Sequence, residues 1–266
     1  LIDREDVVIS MTHSGYVKRL PVAEYKAQHR GGTGITAHKP KEEDFVENMF
    51  VTCTHDNLLF FTNFGRVYSI KAYEVPEAER TARGRAIVNL LQLQSDEKVN
   101  AVIPVKEDSD HGGYLMMATK GGLVKRTAFS EFESIRKVGK IAISLNEGDE
   151  LISVQILEND DEILLASSSG KCIRFSAASV RPTGRSSMGV RSMYLADGDR
   201  VVDMAVIRKG SGEEVLTVSR FGYGKRSSIE EYRKQSRAGK GTLAGKFNET
   251  TGELVNLKLI NPEDDI

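Results

Sequence analysis

Lysine and arginine are the residues whose spacing in this chain suggests chemistry. Cationic pairs follow a glycine by three and four residues, as in Lys18 and Arg19 or Lys125 and Arg126. More cations follow a few residues later, in segments that contain another glycine. Ammonium and guanidinium groups bind phosphate oxygens. A pattern that repeats along the whole chain therefore indicates a binding surface for a polyanion.

Residues for other kinds of chemistry lack the required spacing. The chain has five histidines: His13, His29, His38, His55 and His111. None has ligand spacing with another histidine, a cysteine or a carboxylate, so no metal site is predicted. Cys53 and Cys172 lack CxxC spacing, which indicates a reducing compartment. The glycine-rich segments 222–225 and 239–241 do not match GxxxxGK[ST], so we predict no ATP site, no cofactor and no catalytic residue in this chain.

A hairpin-like unit organises the sequence. It reads as an apolar strand, a glycine turn and a basic strand, and it recurs at residues 7–19, 58–68, 114–126, 163–174 and 214–226. Its turn glycines are Gly15, Gly65, Gly122, Gly170 and Gly222. Glycine suits a tight hairpin because such turns need a positive φ. The regular spacing predicts five structural repeats.

A basic loop follows each hairpin. Glycines mark these loops 17 to 19 residues after the turn glycine, at Gly32, Gly84, Gly139, Gly189 and Gly239. A second, more acidic hairpin is expected to close each unit, for example at 141–156 and 190–206. No helical periodicity is evident, so about four strands per repeat predict an all-β, propeller-like β-pinwheel. We expect a single domain over 1–266, with repeats at approximately 7–56, 57–108, 114–159, 162–210 and 213–261.

Overall composition excludes several classes of protein. No stretch approaches 18 consecutive apolar residues, and the first residues do not resemble a signal peptide, so we expect neither a membrane span nor secretion. The chain has no tryptophan, which argues against a protein-interaction propeller with Trp-Asp repeats. No convergent acidic or histidine set marks a propeller hydrolase. The net charge of −1 by itself argues against a nucleic-acid partner.

Charge is, however, strongly segregated within each repeat. From turn glycine through basic loop, the five repeats together carry a net charge of about +17, and the other 155 residues carry about −18. In a closed radial array these positions fall on one edge, which suits duplex DNA. No recognition helix or zinc finger is evident, so we expect backbone contacts with DNA bending. The alternative is that each strand simply alternates solvated charges.

The predicted phosphate contacts are the cations of the basic strands and loops. They are Lys18, Arg19, Arg66, Arg83, Arg85, Lys125, Arg126, Arg136, Lys137, Lys140, Lys171, Arg174, Arg181, Arg185, Arg191, Lys225, Arg226, Arg233, Lys234, Arg237 and Lys240. The loop of the first repeat is distinct and consists of Gln28, His29, Arg30, Gly31, Gly32, Thr33 and Gly34. Its three glycines let a phosphate backbone approach the peptide N–H groups.

These motifs resemble the C-terminal domain of DNA gyrase A, whose signature box reads Gln-Arg-Arg-Gly-Gly-Lys-Gly. The likeness covers essentially the whole chain and includes the box at 28–34, Gly65-Arg-Val-Tyr-Ser69, Ala82-Arg-Gly-Arg85 and Gly222-Tyr-Gly-Lys-Arg226. It implies a six-bladed β-pinwheel that wraps double-stranded DNA, largely independent of sequence, around its outer edge. The wrap presents a DNA segment for strand passage, so that the holoenzyme introduces negative supercoils at the expense of ATP.

The resemblance also implies the molecular context. The partners would be the N-terminal cleavage-religation region of gyrase A and the gyrase B protein, in an A2B2 enzyme that uses ATP and Mg²⁺ outside this domain. None of the eight tyrosines in this chain directly follows an arginine. The resemblance therefore implies that the catalytic tyrosine lies outside this chain. We expect the isolated domain to be monomeric and the enzyme to be cytoplasmic, at the nucleoid.

Two departures from the family pattern matter. His29 and Thr33 replace an arginine and a lysine of the box, which predicts weaker wrapping or wrapping that depends on pH. Five repeats match either a truncated gyrase pinwheel or the related domain of topoisomerase IV, in which the box is degenerate and wrapping is weak. Gln28, Arg30 and the three glycines favour gyrase.

Overall fold

The computed structural model describes residues 1–30, 44–107, 112–158, 161–245 and 247–261, with only the backbone of 27–30. Within these ranges the chain is built mainly of short strands. They are β1 (Asp6–Thr12), β2 (Tyr16–Pro21), β3 (Val46–Cys53), β4 (Asn57–Thr62), β5 (Arg66–Lys71), β6 (Arg85–Ala86), β7 (Val99–Val105), β8 (Tyr114–Thr119), β9 (Leu123–Ala128), β10 (Lys140–Ile141), β11 (Leu151–Leu157), β12 (Glu162–Ser167), β13 (Lys171–Ser176), β14 (Val190–Arg191), β15 (Val201–Ile207), β16 (Glu214–Ser219), β17 (Gly224–Ser228), β18 (Thr242–Leu243) and β19 (Leu254–Ile260).

The strands form one antiparallel sheet per repeat. Four sheets have four strands, in the orders β3-β1-β2-β6, β10-β5-β4-β7, β11-β8-β9-β14 and β15-β12-β13-β18. In the described residues the fifth has three, in the order β17-β16-β19. The first strand of each hairpin lies inside its sheet, and β4, β8 and β12 carry unbroken buried apolar runs. The predicted all-β, propeller-like fold with one blade per repeat is confirmed.

The hairpin turns are alike in all five repeats. At each, the turn glycine has a φ between 72° and 93° and donates its N–H to the carbonyl three residues earlier, over 3.0 Å. The accepting residue is always a buried Thr or Ser: Thr12, Thr62, Thr119, Ser167 or Ser219. In four repeats its hydroxyl also accepts the N–H four residues later. The predicted glycine turns are confirmed, and this hydroxyl position is an addition to them.

The predicted second hairpin is wrong. Residues 190–191 form β14 and pair with β9, whereas residues 201–207 form β15 and pair with β12 in another sheet. The turn at 196–199 does reverse the chain, but a turn signal does not specify which sheet edge each flanking strand will pair with. The fourth strand of each four-stranded sheet therefore comes from the basic loop of the following repeat.

One segment is helical, although no helical periodicity is evident in the sequence. Residues Val22–Arg30 form α1, a helix of nine residues that directly follows β2. Alanine, glutamate, lysine and glutamine favour helix, but two and a half turns are too short for a clear periodicity. In the other repeats the segment directly after the basic strand forms a short 3-10 helix, at Ala72–Glu74, Phe129–Phe132, Ala177–Ser179 and Ile229–Glu231, and a further one spans Ile87–Asn89.

The chain divides into two compact units, each with its own buried core. The first comprises residues 1–111 with 134–140, and its core includes Ile9, Phe60 and Tyr68. The second comprises 112–133 with 141–266 and contains two clusters, one around Leu165 and the other around Val215. The single-domain organisation expected from the sequence stays a prediction.

Candidate nucleic-acid interface

Two of the predicted phosphate-binding lysines lie in the interior. Lys18 in β2 and Lys125 in β9 are 4% and 1% exposed. The Lys18 ammonium donates to the carbonyls of Glu79, Arg80 and Ala82, over 3.2, 2.6 and 3.0 Å. The Lys125 ammonium donates likewise to three carbonyls. Because these groups are enclosed by protein acceptors, we leave them out of the candidate interface.

Burial also affects how readily these two ammonium groups lose a proton. Burial, reinforced by the positive charge of Arg80, lowers the pKa of Lys18 to about 8. Burial and the charge of Arg185 lower the pKa of Lys125 to about 8, although Glu131 acts in the opposite direction. At pH 7 both groups are therefore still mainly protonated and can donate to all three carbonyls.

The arginines that follow in the basic strands also have protein partners. Nε of Arg19 donates to the carbonyl of Val75, and Nε of Arg126 donates to that of Val180. The Arg174 guanidinium donates to Glu162 and to the carbonyls of Ile229 and Tyr232. The carbonyls of Val75, Val180 and Tyr232 each lie directly after a 3-10 helix of the next repeat. These arginines thus link a strand to the following repeat. In the fifth repeat, Arg226 pairs with Glu214, and the exposed Lys225 donates to the Ala244 carbonyl.

Some loop arginines are tied to the protein as well. Nη1 of Arg185 donates to the carbonyl of Ile141, and that of Arg237 donates to the carbonyl of Arg191. Both acceptors lie on the short strand that the preceding repeat contributes. Arg66 and Lys171 are half-buried at the start of their strands. These four cations are only partly available to a ligand.

The remaining loop cations are exposed and form the candidate interface. They are Arg83, Arg85, Arg136, Lys137, Lys140, Arg181, Arg191, Arg233, Lys234 and Lys240. Two of them are held over tyrosine rings: Arg83 lies 3.5 Å from the centre of the Tyr16 ring, and Arg191 lies 4.6 Å from that of Tyr194. Lys137 pairs with Glu74 over 3.0 Å. We refer to these ten residues as the loop cations.

The backbone fixes the position of each loop on the preceding strand. Isolated parallel bridges join Arg19 to Glu77, Arg126 to Pro182 and Arg174 to Lys234. Counted from these bridges, the glycine next to the short strand lies seven residues later, at Gly84, Gly189 and Gly241. The predicted marker Gly239 is therefore two residues early. The segment Ala238-Gly-Lys-Gly241 contains two glycines. Only the pairing of β18 with β13 shows that the second, Gly241, is the glycine next to the short strand.

Several acidic residues that balance the charge serve the hairpin turns instead. Asp149 accepts the N–H of Gly121 over 2.7 Å, and Asp199 accepts the N–H of Ser169 over 3.1 Å and the hydroxyl of Ser168 over 2.7 Å. Although burial acts to raise it, these serine hydrogen bonds hold the pKa of Asp199 below its usual value. These two carboxylates therefore accept hydrogen bonds from the hairpin turns.

The signature box lies mostly outside the described residues. The backbone of Gln28, His29 and Arg30 ends α1, and Gly31, Gly32, Thr33 and Gly34 fall in 31–43. Among the described residues, no three His, Cys, Asp or Glu side chains are grouped to hold a metal ion. No described helix is long and apolar enough to cross a membrane. The role of the box stays a prediction.

Comparison with known proteins identifies the family. The model of the family described as "DNA gyrase C-terminal domain, beta-propeller" matches five segments, at residues 6–53, 56–106, 113–158, 161–208 and 213–261. The chain belongs to the DNA gyrase C-terminal domain family. The resemblance noted in the sequence is therefore confirmed, and the five matched segments correspond to the five repeats.

Curated relatives and solved structures agree with this assignment. The DNA gyrase A protein of Escherichia coli (strain K12) is 46% identical over all 266 residues, and that of Staphylococcus aureus (strain NCTC 8325 / PS 47) is 43% identical. The chain spans 30% of the length of each. A crystal structure of the C-terminal domain of DNA topoisomerase IV matches with a TM-score of 0.83 and 25% identity, over 98% of this chain and 79% of that one. A structure of the DNA gyrase A C-terminal domain matches with a TM-score of 0.74 and 29% identity, over 97% and 83%.

Proposed function

We propose that this gyrase-family domain binds duplex DNA through its loop cations and wraps it, independent of base sequence. The observation that supports this is the recurrence of exposed Lys and Arg on the loop after each basic strand, in all four repeats whose loops are described. Loops 134–140, 181–191 and 233–240 contain no acidic residue at all. Each such loop presents only positive charge to an approaching phosphate.

The chemistry is counterion release from the DNA backbone. Each cation that neutralises a phosphate releases a condensed counterion, so affinity falls steeply as salt concentration rises. The described loops of the second to fifth repeats offer no helix long enough to read a major groove, since the helix next to the loop of the second repeat, Ile87–Asn89, has three residues. Contacts to successive loops would bend the duplex. Any preference among DNA sequences would then come from how easily each sequence bends.

In the complete enzyme this domain would deliver a wrapped segment for strand passage. We propose that it joins the cleavage-religation region of gyrase A and the gyrase B protein in an A2B2 gyrase, which acts on the bacterial nucleoid in the cytoplasm and introduces negative supercoils. ATP, Mg²⁺ and the nucleophilic tyrosine would belong to those other regions. The part of the reaction assigned to this chain is therefore DNA geometry and not bond breakage.

A second candidate is the equivalent domain of topoisomerase IV. The TM-score of 0.83 with that domain supports it, whereas the 43% to 46% identity with gyrase A proteins over the full chain supports gyrase. The fold by itself does not separate the two. They differ in whether the bound DNA is wrapped with a defined handedness.

A linking-number assay tests the proposal and separates the candidates. The chain is bound to nicked circular DNA at low and at physiological salt, the nick is ligated, the protein is removed, and the topoisomers are counted. Gyrase-like wrapping predicts a positive shift that grows with protein concentration. Binding without any shift would favour the topoisomerase IV assignment, and an absence of binding at low salt would reject both.

A triple variant and a single control variant test whether the loop cations contact DNA. The triple variant Arg181→Gln, Arg191→Gln and Lys240→Gln removes three loop cations, whereas Lys209→Gln removes one exposed charge outside the loops. We expect the triple variant to lower the slope of log affinity against log salt by about 2 to 3 and to reduce the linking shift. The control should lie close to the wild type. Equal behaviour of the two variants would show that DNA binds elsewhere.

A further inference from the structure

Lys18 and Lys125 occupy the same place in two repeats, and each reaches into the loop of the next repeat. Each is the third residue of its basic strand. The bridges at Glu77 and Pro182 give a common reference point in the two loops. In each loop, the ammonium donates to the carbonyls of the residues three and five positions after the bridge. For Lys18 these belong to Arg80 and Ala82, and for Lys125 they belong to Arg185 and Ser187. The two ammonium groups therefore share two equivalent acceptors and differ in the third, which is the Glu79 carbonyl for Lys18 and the Ala142 carbonyl for Lys125.

Each loop that is hydrogen-bonded to Lys18 or Lys125 also carries some of the loop cations. The loop held by Lys18 continues directly into Arg83 and Arg85, and the loop held by Lys125 lies between Arg181 and Arg191. Main-chain hydrogen bonds fix both ends of each loop: Thr183 donates its N–H to the carbonyl of Arg126 over 2.9 Å at the start of one loop, and β14 pairs with β9 at its end. The ammonium contributes to orienting the middle of the loop, because at least two peptide carbonyls turn inward to accept from it. In the loop held by Lys125, Ser144 also donates to the carbonyls of Ser186 and Ser187.

Other repeats show that the loop can be supported in a different way. The third strand residue is Tyr68 in the second repeat and Ile173 in the fourth. There the next loop packs a glycine against the side chain: a Cβ on Gly139 would lie 2.5 Å from the Tyr68 ring, and one on Gly239 would lie 3.6 Å from Ile173 Cδ1. Van der Waals packing replaces the ammonium in these repeats. In the first and third repeats, by contrast, the lysine bonds to carbonyls of the next loop.

We propose that Lys18 and Lys125 are positioning residues, which hold the following basic loop by its main-chain carbonyls and so set where the loop cations meet the phosphates. They touch no DNA themselves. The inference rests on the proposed function for its consequence at the DNA, but the holding of the loop is a property of the protein alone. The two parts can therefore be tested separately.

The first experiment measures loop order without DNA and then DNA binding. Lys125→Met keeps the length and the apolar stem but removes the ammonium, and Lys209→Met is the matched control at an exposed site. In Lys125→Met we expect amide hydrogen exchange to accelerate at residues 183–189 and not in β8 or β12. Unchanged exchange in that loop would overturn the proposal, whether or not the chain binds DNA.

The DNA measurement then distinguishes positioning from a general structural effect. We expect Lys125→Met to lower affinity for duplex DNA about tenfold at 0.1 M salt and to reduce the salt slope by about 1 or more, although Lys125 itself is buried. If the loop exchanges faster but the affinity for duplex DNA and its salt slope stay at wild-type values, Lys125 does not position the loop cations for DNA. Failure of the proposed function would look different, because the wild type itself would then show no salt-dependent binding.

A second measurement needs no variant and covers the case in which Lys125→Met does not fold. Reductive methylation of the wild-type chain, read by mass spectrometry with and without duplex DNA, reports the accessibility of each lysine. Lys18 and Lys125 should be unreactive in both states, whereas Lys140 and Lys240 should react in the free chain and be protected by DNA. If Lys18 and Lys125 react freely and are protected by DNA, they are phosphate ligands and the proposal is wrong.

Discussion

The basic strands and the basic loops carry the same kinds of charge but use them in opposite ways. In the strands, Lys125 is 1% exposed and enclosed by carbonyls, and Arg174 is paired with Glu162 and two carbonyls. In the loops, Arg191 is exposed over a tyrosine ring and Lys240 is exposed. The difference shows that a cation repeated in sequence is not necessarily a ligand contact. These strand cations bond to the protein, whereas these loop cations are exposed to solvent.

Removing a strand ammonium should have the largest effect on stability. Lys125→Met leaves the carbonyls of Ala142, Arg185 and Ser187 without their shared donor. Because a buried acceptor without a partner costs about 1 kcal/mol or more, we expect the free energy of unfolding to fall by about 2–4 kcal/mol. Urea denaturation measures this. Lys140→Met, at an exposed loop position, is the control and should change stability by less than about 0.5 kcal/mol. If both variants lose the same free energy of unfolding, the strand lysine is no more important for stability than the loop lysine.

Displacing a loop from its strand should have the next largest effect. A Cβ on Gly189 would lie 2.7 Å from the carbonyl oxygen of Val124, so Gly189→Ala must push β14 away from β9. We expect the free energy of unfolding to fall by about 2 kcal/mol, as for overpacking elsewhere. Gly184→Ala in the same loop meets nothing within 4 Å and should stay within about 0.5 kcal/mol of the wild type. Similar denaturation curves for the two variants would contradict the close approach of loop and strand.

A buried acid extends the comparison to negative charge. Asp203 in β15 accepts the N–H of Leu257 in β19 and the N–H of Met204, each over 2.9 Å. The residue is partly exposed, but its carboxylate is enclosed, and burial raises its pKa to about 6 against the opposing effect of these hydrogen bonds and of Lys258. The folded state therefore favours the protonated form relative to the unfolded chain, in which the pKa is about 3.9.

The sign of this pKa shift gives a pH dependence. The contribution of Asp203 to stability is fully present below about pH 4 and is lost as the pH rises through about 6, and the change is on the order of 2 kcal/mol. Relative to the wild type, Asp203→Asn should become more stable by that amount between pH 4 and pH 7, as measured by thermal or urea unfolding. Asp197→Asn, at an exposed turn, serves as the control. A difference from wild type that does not vary with pH would contradict the raised pKa.

Replacing one loop cation should change stability least. Arg191→Gln leaves the carbonyl of Arg191 in place as acceptor for Arg237, so we expect the free energy of unfolding to change by less than about 0.5 kcal/mol. Duplex DNA binding should weaken for every sequence alike, with the salt slope reduced by about 0.9. Fluorescence anisotropy over a salt series provides the measurement. A loss of stability without any change in slope would place Arg191 with the strand cations.

Much of the fold follows from local patterns. The five turn glycines predict the hairpins because each needs a positive φ, and the apolar runs that precede them predict the central strands. The exposed positions of Arg83, Arg85 and Lys240 follow from their place in a glycine-bearing loop. The Ser or Thr three residues before each turn glycine was equally visible in the sequence, and its hydroxyl could have been recognised as a turn acceptor.

The sequence by itself determined the number of repeats, the hairpin turns and the segregation of charge, because each depends on residues that are near neighbours in the chain. Only the tertiary structure decided that Lys18 and Lys125 are enclosed, that Gly241 and not Gly239 adjoins the short strand β18, and that β14 belongs with β9. Each of these depends on which carbonyls and strand edges a later repeat brings to an earlier one. Such contacts join residues about 60 positions apart, and the energy that selects them arises from burial and hydrogen bonding that no local pattern contains.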